Sequence, residues 1–545
     1  MDNMETKVSL LDCTLRDGGY VNDWNFGHNN LVSVFERLVS AKVEFIELGF
    51  LDERREYDIN RSIAPDTESF NQIFQGLDKE KSQLLGMIDY GTCSIENIQP
   101  CSETIFDGIR VIFKKHVRKP AIDFCRQIKN LGYKVFVQLV SITSYNDDEL
   151  HDLICLANDL KPFAVSMVDT YGLLQQENLM HYFMELDSKL LPEIQLGYHS
   201  HNNFQRAFAN CTEMLSKKTD RNLLVDATIY GMGKSAGNCP IELLAMYLND
   251  HFDKKYDIAQ ILEALDANIM NFYRISPWGY NMFFYIAALN NCHPSYVTYL
   301  MDKRTLSVKQ INEVLAQLQK YGDKQLLYDK ELIEKLYFDY QKQINIDDER
   351  DIQKLSKIFH QKKVLLLGPG KSIENEKDTI QKYIKENQPL IISVNYISEN
   401  LPADFIFLSN SKRYVQLSAA LLQKKESVRV IATSNVTATR NKKFDYSLDI
   451  APLLDEQAEV IDNSFVMLLK VMIKIGVHDV ALGGFDGYVG EKHKDHVNEN
   501  MEYSFSKEQA RRLNDYVSNI LHDMKQQINM EFITKSLYVD IEEKK

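Results

Sequence analysis

Val8-Ser9-Leu10-Leu11-Asp12-Cys13-Thr14-Leu15-Arg16-Asp17-Gly18-Gly19-Tyr20 begins as an apolar run of strand length and breaks into Arg-Asp-Gly-Gly. A guanidinium and a carboxylate are thereby set where extended backbone gives way to a turn. Seven comparable runs follow, at residues 45–50, 84–90, 108–113, 134–140, 163–169, 194–199 and 223–230, with helix-length amphipathic stretches between them. Eight strands alternating with helices over some 250 residues predict an α/β fold closed into a (β/α)8 barrel rather than an open doubly wound sheet. Such a barrel carries its chemistry at the C-terminal ends of the strands. Asp17, His199, His201 and Asn238 all fall at or just beyond those ends.

The chain has 545 residues, 44% of them hydrophobic and 26% charged, which is too long for a single core and predicts at least two domains. A formal net charge of -14 argues against a nucleic-acid surface and favours a small-molecule substrate. The N-terminus has neither the basic nor the apolar segment of a secretory signal, and no run is long enough to span a bilayer, so a cytoplasmic location is expected. All eight cysteines precede residue 300 without a CxxC pair, as expected of core residues rather than a zinc ribbon or disulfide framework. The aromatic stretch 278–289 reads as packing onto the barrel or as a contact between copies in a homo-oligomer.

Residues 1–300 are thus read as the barrel and 301–361, rich in Lys, Gln, Glu and Asp with spaced leucines, as a helical connector. Residues 362–545 form a second, doubly wound Rossmann-like α/β domain. Its expected strands are at 364–367, 390–394, 405–408, 428–432 and 480–482. The turn Gly368-Pro369-Gly370-Lys371-Ser372 after the first strand serves either as a phosphate cradle at a helix N-terminus or as a tight turn.

Side chains alternate along a strand, so His199 and His201 face the same way and can bite one ion. Asp17 adds a carboxylate and Asn238 a fourth oxygen, with positions left open for substrate. The competing reading is two histidines hydrogen-bonded at a strand end; a third and a fourth ligand on other strand ends favour metal.

Four motifs in order, Asp12-x-Thr14-Leu15-Arg16-Asp17-Gly18, Phe45-Ile46-Glu47-Leu48-Gly49-Phe50, His199-Ser200-His201-Asn202-Asn203 and Gly231-x-Gly233-x-x-Ala236-Gly237-Asn238, resemble the DRE-TIM metallolyase family over residues 7–300. Ala236-Gly237-Asn238-Cys239-Pro240 and Asn291-Cys292-His293-Pro294 resemble its 4-hydroxy-2-oxovalerate aldolase branch most. The resemblance implies a divalent metal, Mn2+ first and Mg2+, Co2+ or Zn2+ as alternatives, on Asp17, His199 and His201. It also places Arg16 beside a 2-oxo group. A C–C bond beside a ketone breaks through an enolate, whose oxygen needs positive charge nearby. The alternative for Arg16 is a salt bridge to Asp17 or Glu47.

The sequence departs from that branch at Tyr20, where the aldolases carry a histidine, and it lacks the catalytic cysteine of the lyase branch. Tyr20 is then the candidate acid, with His116, Asp23 and Lys234 as possible helpers. The rival activities are a Claisen-type acyl transfer and a glycan-assembly protein whose second domain is the transferase. The second domain resembles nucleotide-sugar-binding domains of the bacterial sialyltransferase and motility-accessory-factor type. That implies a nucleotide near Gly368, Gly370, Ser372 and Asn395, with His493 or His496 as a base.

Overall fold

The computed structural model describes residues 7–303, 306–342, 345–423, 427–438, 444–455, 458, 460–490, 495–498 and 505–539. They fall into two compact units, residues 1–297 with 318–328, and residues 298–317 with 329–545. The stretch 301–361 is therefore divided between the units. Among the described residues no helix is long and apolar enough to cross a membrane.

The first unit is the eight-stranded parallel barrel. Its strands are β1 (Val8–Asp12), β2 (Phe45–Leu51), β3 (Gln83–Asp89), β4 (Gly108–Phe113), β5 (Lys134–Leu139), β6 (Ala164–Asp169), β7 (Gln195–Ser200) and β8 (Leu223–Ala227). Each pairs with the next, and β8 closes onto β1 with Val8 opposite Leu223 and Asp12 opposite Ala227. A two-residue strand, Ile63–Ala64, extends the sheet beside β2. All eight expected strands are present.

Two of them stop two or three residues earlier than expected. The Asp12 carboxylate captures the Thr14 amide at 2.9 Å and its hydroxyl at 2.6 Å, so the chain turns into a short helix, Thr14–Asp17, instead of continuing to residue 14. β8 ends at Ala227 and leads into a helical turn, Ile229–Gly231.

Outside the barrel the longer helices pack an apolar stripe against it. Helix Asp147–Leu160 shows why it forms. Asn146 and Glu149 close a capping box, and Leu150, Leu153, Ile154, Ala157 and Leu160 recur at helical spacing on the buried face.

The period of two along the strands divides the barrel interior into storeys. Leu11, Phe45, Leu85, Phe136, Ala164 and Leu224 pack together as an apolar floor. In the next storey six of the eight strands carry a buried polar residue: Glu47 on β2, Arg110 on β4, Gln138 on β5, Ser166 on β6, His199 on β7 and Asp226 on β8, none more than 3% exposed.

The second unit is a seven-stranded, wholly parallel sheet. Its strands are β9 (Val364–Leu367), β10 (Leu390–Val394), β11 (Phe405–Leu408), β12 (Arg429–Thr433), β13 (Tyr446–Leu448), β14 (Asp479–Gly483) and β15 (Asn529–Phe532), in the spatial order 13-12-11-10-9-14-15. This is a doubly wound sheet whose order reverses between β9 and β14. The sequence reading missed β13 and β15.

Candidate active site

The polar storey is one chain of charges. Arg16 Nε donates to Glu47 Oε2 at 2.7 Å, and its Nη1 donates to the Asp17 carboxylate. Arg110 Nη1 donates to the same Glu47 oxygen at 3.1 Å, while Nη2 donates to Asp226 and to Gln138 Oε1 at 2.9 Å. Asp226 Oδ2 in turn pairs with His199 Nδ1 at 2.9 Å. Three carboxylates and two guanidiniums leave one net negative charge in a water-excluded space. Burial alone would neutralise Asp17, but Arg16, His201 and His199 outweigh it and hold the carboxyl well below the usual range. Burial likewise opposes the charge on Arg16, and Glu47 and Asp17 overcome it.

Asp17, His199 and His201 offer ligand atoms within 4.8 Å of one another. Each histidine uses Nδ1 for orientation, His199 on Asp226 and His201 on the Asp169 carbonyl at 3.0 Å. Both Nε2 atoms are buried without a well-formed hydrogen bond, His201 Nε2 lying 3.5 Å from Asp17 Oδ2, and Asn238 Oδ1 is buried without a partner as well. Asn238 Nδ2 donates to Asp17 Oδ2 at 2.5 Å, which draws the loop after β8 onto the end of β1.

Two glycines make that approach feasible. A Cβ on Gly233 would lie 2.2 Å from Asn238 Nδ2 and 2.6 Å from Asp17 Oδ2, and one on Gly237, whose φ is +79°, would lie 2.0 Å from the Gly231 carbonyl. Orphaned imidazole nitrogens and an amide oxygen converging beside a carboxylate fit a divalent cation.

The cavity above this cluster, about 190 Å³, is lined by Arg16, Asp17, His199 and His201 at one end. Tyr20, Asp89, Lys114, Lys234 and His293 also line it. Tyr20 is 43% exposed. The protein crowded around it, with Asp17, pushes its hydroxyl above the usual range, so it keeps its proton. Lys234 Nζ sits 5.4 Å from the centre of its ring.

Of the other suggested helpers, His116 is exposed, and Asp23 is engaged by Arg55 and Arg61 at the surface. The sequence reading missed Arg110 and Asp226 entirely and took Glu47 only as a partner for Arg16. It also passed over Asp89 and Lys114, and read His293 only as part of a motif. A lone Arg110 within Gly-Ile-Arg-Val-Ile-Phe was the available signal, since a charge in a buried strand demands a partner.

In the second unit a cavity of about 140 Å³ lies where the sheet order reverses, lined by Gly370, Asn395, Arg413, Phe465, Asp486 and His496 among others. The glycine turn spends its donors internally. Gly368 N donates to the Gly483 carbonyl at 2.8 Å and Gly370 N to the Gly484 carbonyl at 2.8 Å. Ser372 N donates to Asp486 Oδ2 at 2.8 Å, and the Ser372 hydroxyl donates to the same carboxylate. A carboxylate already occupies the position expected for phosphate. Asn395 is in the left-handed region at φ +49° and donates to the Ser464 hydroxyl at 2.7 Å. His496 pairs through its backbone with Gly370; His493 lies outside the described residues.

An oxaloacetate decarboxylase of Mycobacterium tuberculosis is 25% identical over 279 residues, 49% of this chain and 80% of its own. A 4-hydroxy-2-oxovalerate aldolase 2 of Salinispora arenicola is 26% identical over 271 residues, 48% of this chain and 74% of its own. Among solved structures, the carboxyl transferase domain of Rhizobium etli pyruvate carboxylase is 14% identical and overlaps 65% of each chain with a TM-score of 0.49. The family described as HMGL-like matches residues 7–267, the span that carries the barrel, the charge chain and the converging ligands. Those residues are an HMGL-like domain of the DRE-TIM family.

Proposed function

We propose that the barrel is a divalent-metal-dependent aldolase that cleaves a 4-hydroxy-2-oxo acid through a pyruvate-type enolate. The observation that carries this reading is the pair of buried Nε2 atoms, neither in a well-formed hydrogen bond, beside Asp17 and Asn238 Oδ1, with the Arg16 guanidinium adjoining. Asp17, His199, His201 and Asn238 would hold the cation, Mn2+ in our reading. When bound, it supplies fixed positive charge to the substrate's keto and carboxylate oxygens.

Arg16 is locked through Nε on Glu47 and Nη1 on Asp17, which leaves Nη2 to meet the oxygen where charge develops as C3–C4 breaks. The bond's electron pair passes to C3 and the keto oxygen, the 4-hydroxyl loses its proton and an aldehyde leaves; C3 is then protonated to give the 2-oxo acid. Asp89 is our choice for the 4-hydroxyl proton. It lies at the end of β3, it lines the cavity, and burial raises its pKa toward the range of a useful base. Tyr20, which keeps its proton, is a donor and not the base.

The test is metal analysis combined with pyruvate release from a panel of 4-hydroxy-2-oxo acids. His199→Ala with His201→Ala should lose both metal and turnover. Arg16→Lys should keep the metal and lose turnover, because an ammonium cannot reproduce the planar fork. Stoichiometric metal in the double histidine variant would refute the site.

A further inference from the structure

The barrel cavity has a second pole. Lys234, Lys114 and His293 line it together with Asp89, and the electrostatic neighbours that act on His293 are the two lysines, not Arg16 or Asp17. Among the described residues neither lysine has a carboxylate within ion-pair distance; Lys234 instead rests against the Tyr20 ring. Burial pulls the Lys234 ammonium below its usual range, against the pull of Asp17 and Asp89, so an added anion would stabilise its charged form.

His293 is prepared as a neutral donor. Its Nδ1 accepts the Ser295 amide at 3.1 Å, so the ring hydrogen belongs on Nε2, for which no hydrogen-bond partner is found among the described residues. Burial, then Lys234 and Lys114, pull its pKa to about 4, which keeps the ring uncharged. The loop that carries it is braced by residues 318–328, which return to this unit. His293 N donates to the Gln325 carbonyl at 2.9 Å, Tyr296 Oη to the Lys324 carbonyl at 2.7 Å, and Tyr171 Oη to the Leu326 carbonyl at 3.0 Å. Two ammonium groups and one N–H donor line the same cavity with no carboxylate within ion-pair distance of either lysine among the described residues, Asp89 acting on both from further away, and together they match the needs of an anion with several oxygens.

We propose that this pole binds a second carboxylate, so that the substrate class is a 4-hydroxy-2-oxo dicarboxylic acid whose distal carboxylate sits between Lys234, Lys114 and His293. The inference rests on the aldolase reading and narrows its substrate. Cleavage then yields a 2-oxo acid and an aldehyde that keeps the distal carboxylate. Only C3–C4 breaks, the 4-hydroxyl proton is lost and C3 gains one.

The experiment measures dissociation constants of unreactive analogues on the full-length, Mn2+-supplemented protein by calorimetry. 2-Oxoglutarate is compared with 2-oxopentanoate, which has the same carbon count and no second carboxylate, and pyruvate serves as the reference. The dicarboxylate should bind at least tenfold tighter at low ionic strength. The ratio should fall to within about threefold of unity when Lys234→Met and Lys114→Met are combined. His293→Phe should reduce the ratio, and His293→Gln, which keeps an N–H donor, should restore part of it. A ratio near one in the unsubstituted protein, or a ratio unchanged by the double lysine variant, overturns the inference. If pyruvate binds while no preference appears, only the substrate class falls; if pyruvate also fails to bind, the aldolase reading falls with it.

Discussion

Replacing Arg110 by Met tests the charge chain where it is most vulnerable. Arg110 is 0% exposed and joins Glu47 to Asp226, so its loss takes the storey from one net negative charge to two without opening it to water. Glu47 keeps Arg16 at 2.7 Å, but Asp226 keeps only the His199 imidazole at 2.9 Å. Removing one partner of a buried pair costs about 3–5 kcal/mol. For a unit of this size that is a melting-temperature loss of roughly 6–20 °C.

The sign with pH follows from Asp226. Burial would raise its pKa, and Arg110 with His199 holds it below the unfolded value, so it contributes stability above the unfolded pKa that is lost as pH falls through the folded one. Without Arg110 the folded pKa moves up and that contribution reverses, so the deficit of Arg110→Met should be largest near pH 7–8 and shrink below about pH 4. Adding Asp226→Asn returns the storey to one negative charge and should recover a substantial part of the loss. Differential scanning fluorimetry across pH reads all three proteins. A melting temperature for Arg110→Met within a degree or two of the unsubstituted protein would refute the reasoning.

Gly233→Ala should fold, by circular dichroism, yet lose divalent-metal retention, because its Cβ would lie 2.2 Å from Asn238 Nδ2. Asp12 and Asp169 are pushed up to about 7 and about 6 by burial, above their unfolded values, so they bind protons on folding and disfavour the folded state as pH rises through that range. Melting temperature should therefore fall between pH 5 and pH 8, and Asp12→Asn should flatten the slope. Asp486→Ala should cost about 0.5–2 kcal/mol by uncapping Ser372. It is also the variant in which CDP or UDP should raise the melting temperature of the full chain, since Asp486 no longer fills the phosphate position; no shift in that variant would remove the nucleotide expectation.

The barrel was legible because each buried strand carries its own apolar signature between amphipathic helices, and the grouping of His199, His201, Asp17 and Asn238 because these residues sit where strands end. The charge chain was hidden. Glu47, Arg110 and Asp226 come from three strands, and only closure of the barrel brings them together. The missed strands of the second unit, Tyr446–Leu448 and Asn529–Phe532, are the two edges of its sheet. Tyr446–Leu448 is only three residues long and Asn529–Phe532 alternates exposed with half-buried residues, so neither presents an apolar run. His293 was read only as part of a motif. Its relation to Lys234 and Lys114 depends on a loop held by residues 318–328, a long-range arrangement that local pattern cannot encode.

The path of the chain between the two units matters to anyone who cuts it. It leaves the first unit after residue 297, contributes 298–317 to the second, returns for 318–328 and departs again at 329. No single truncation point yields both units whole. A protein ended at residue 300 would lack the strand of backbone that accepts from His293, Tyr296 and Tyr171, and one begun at residue 362 would lack helix Val308–Ala316 and the two helices that follow it. On the ribosome the barrel therefore cannot complete its rim until more than 300 residues have emerged, which ties the finishing of the first unit to the start of the second.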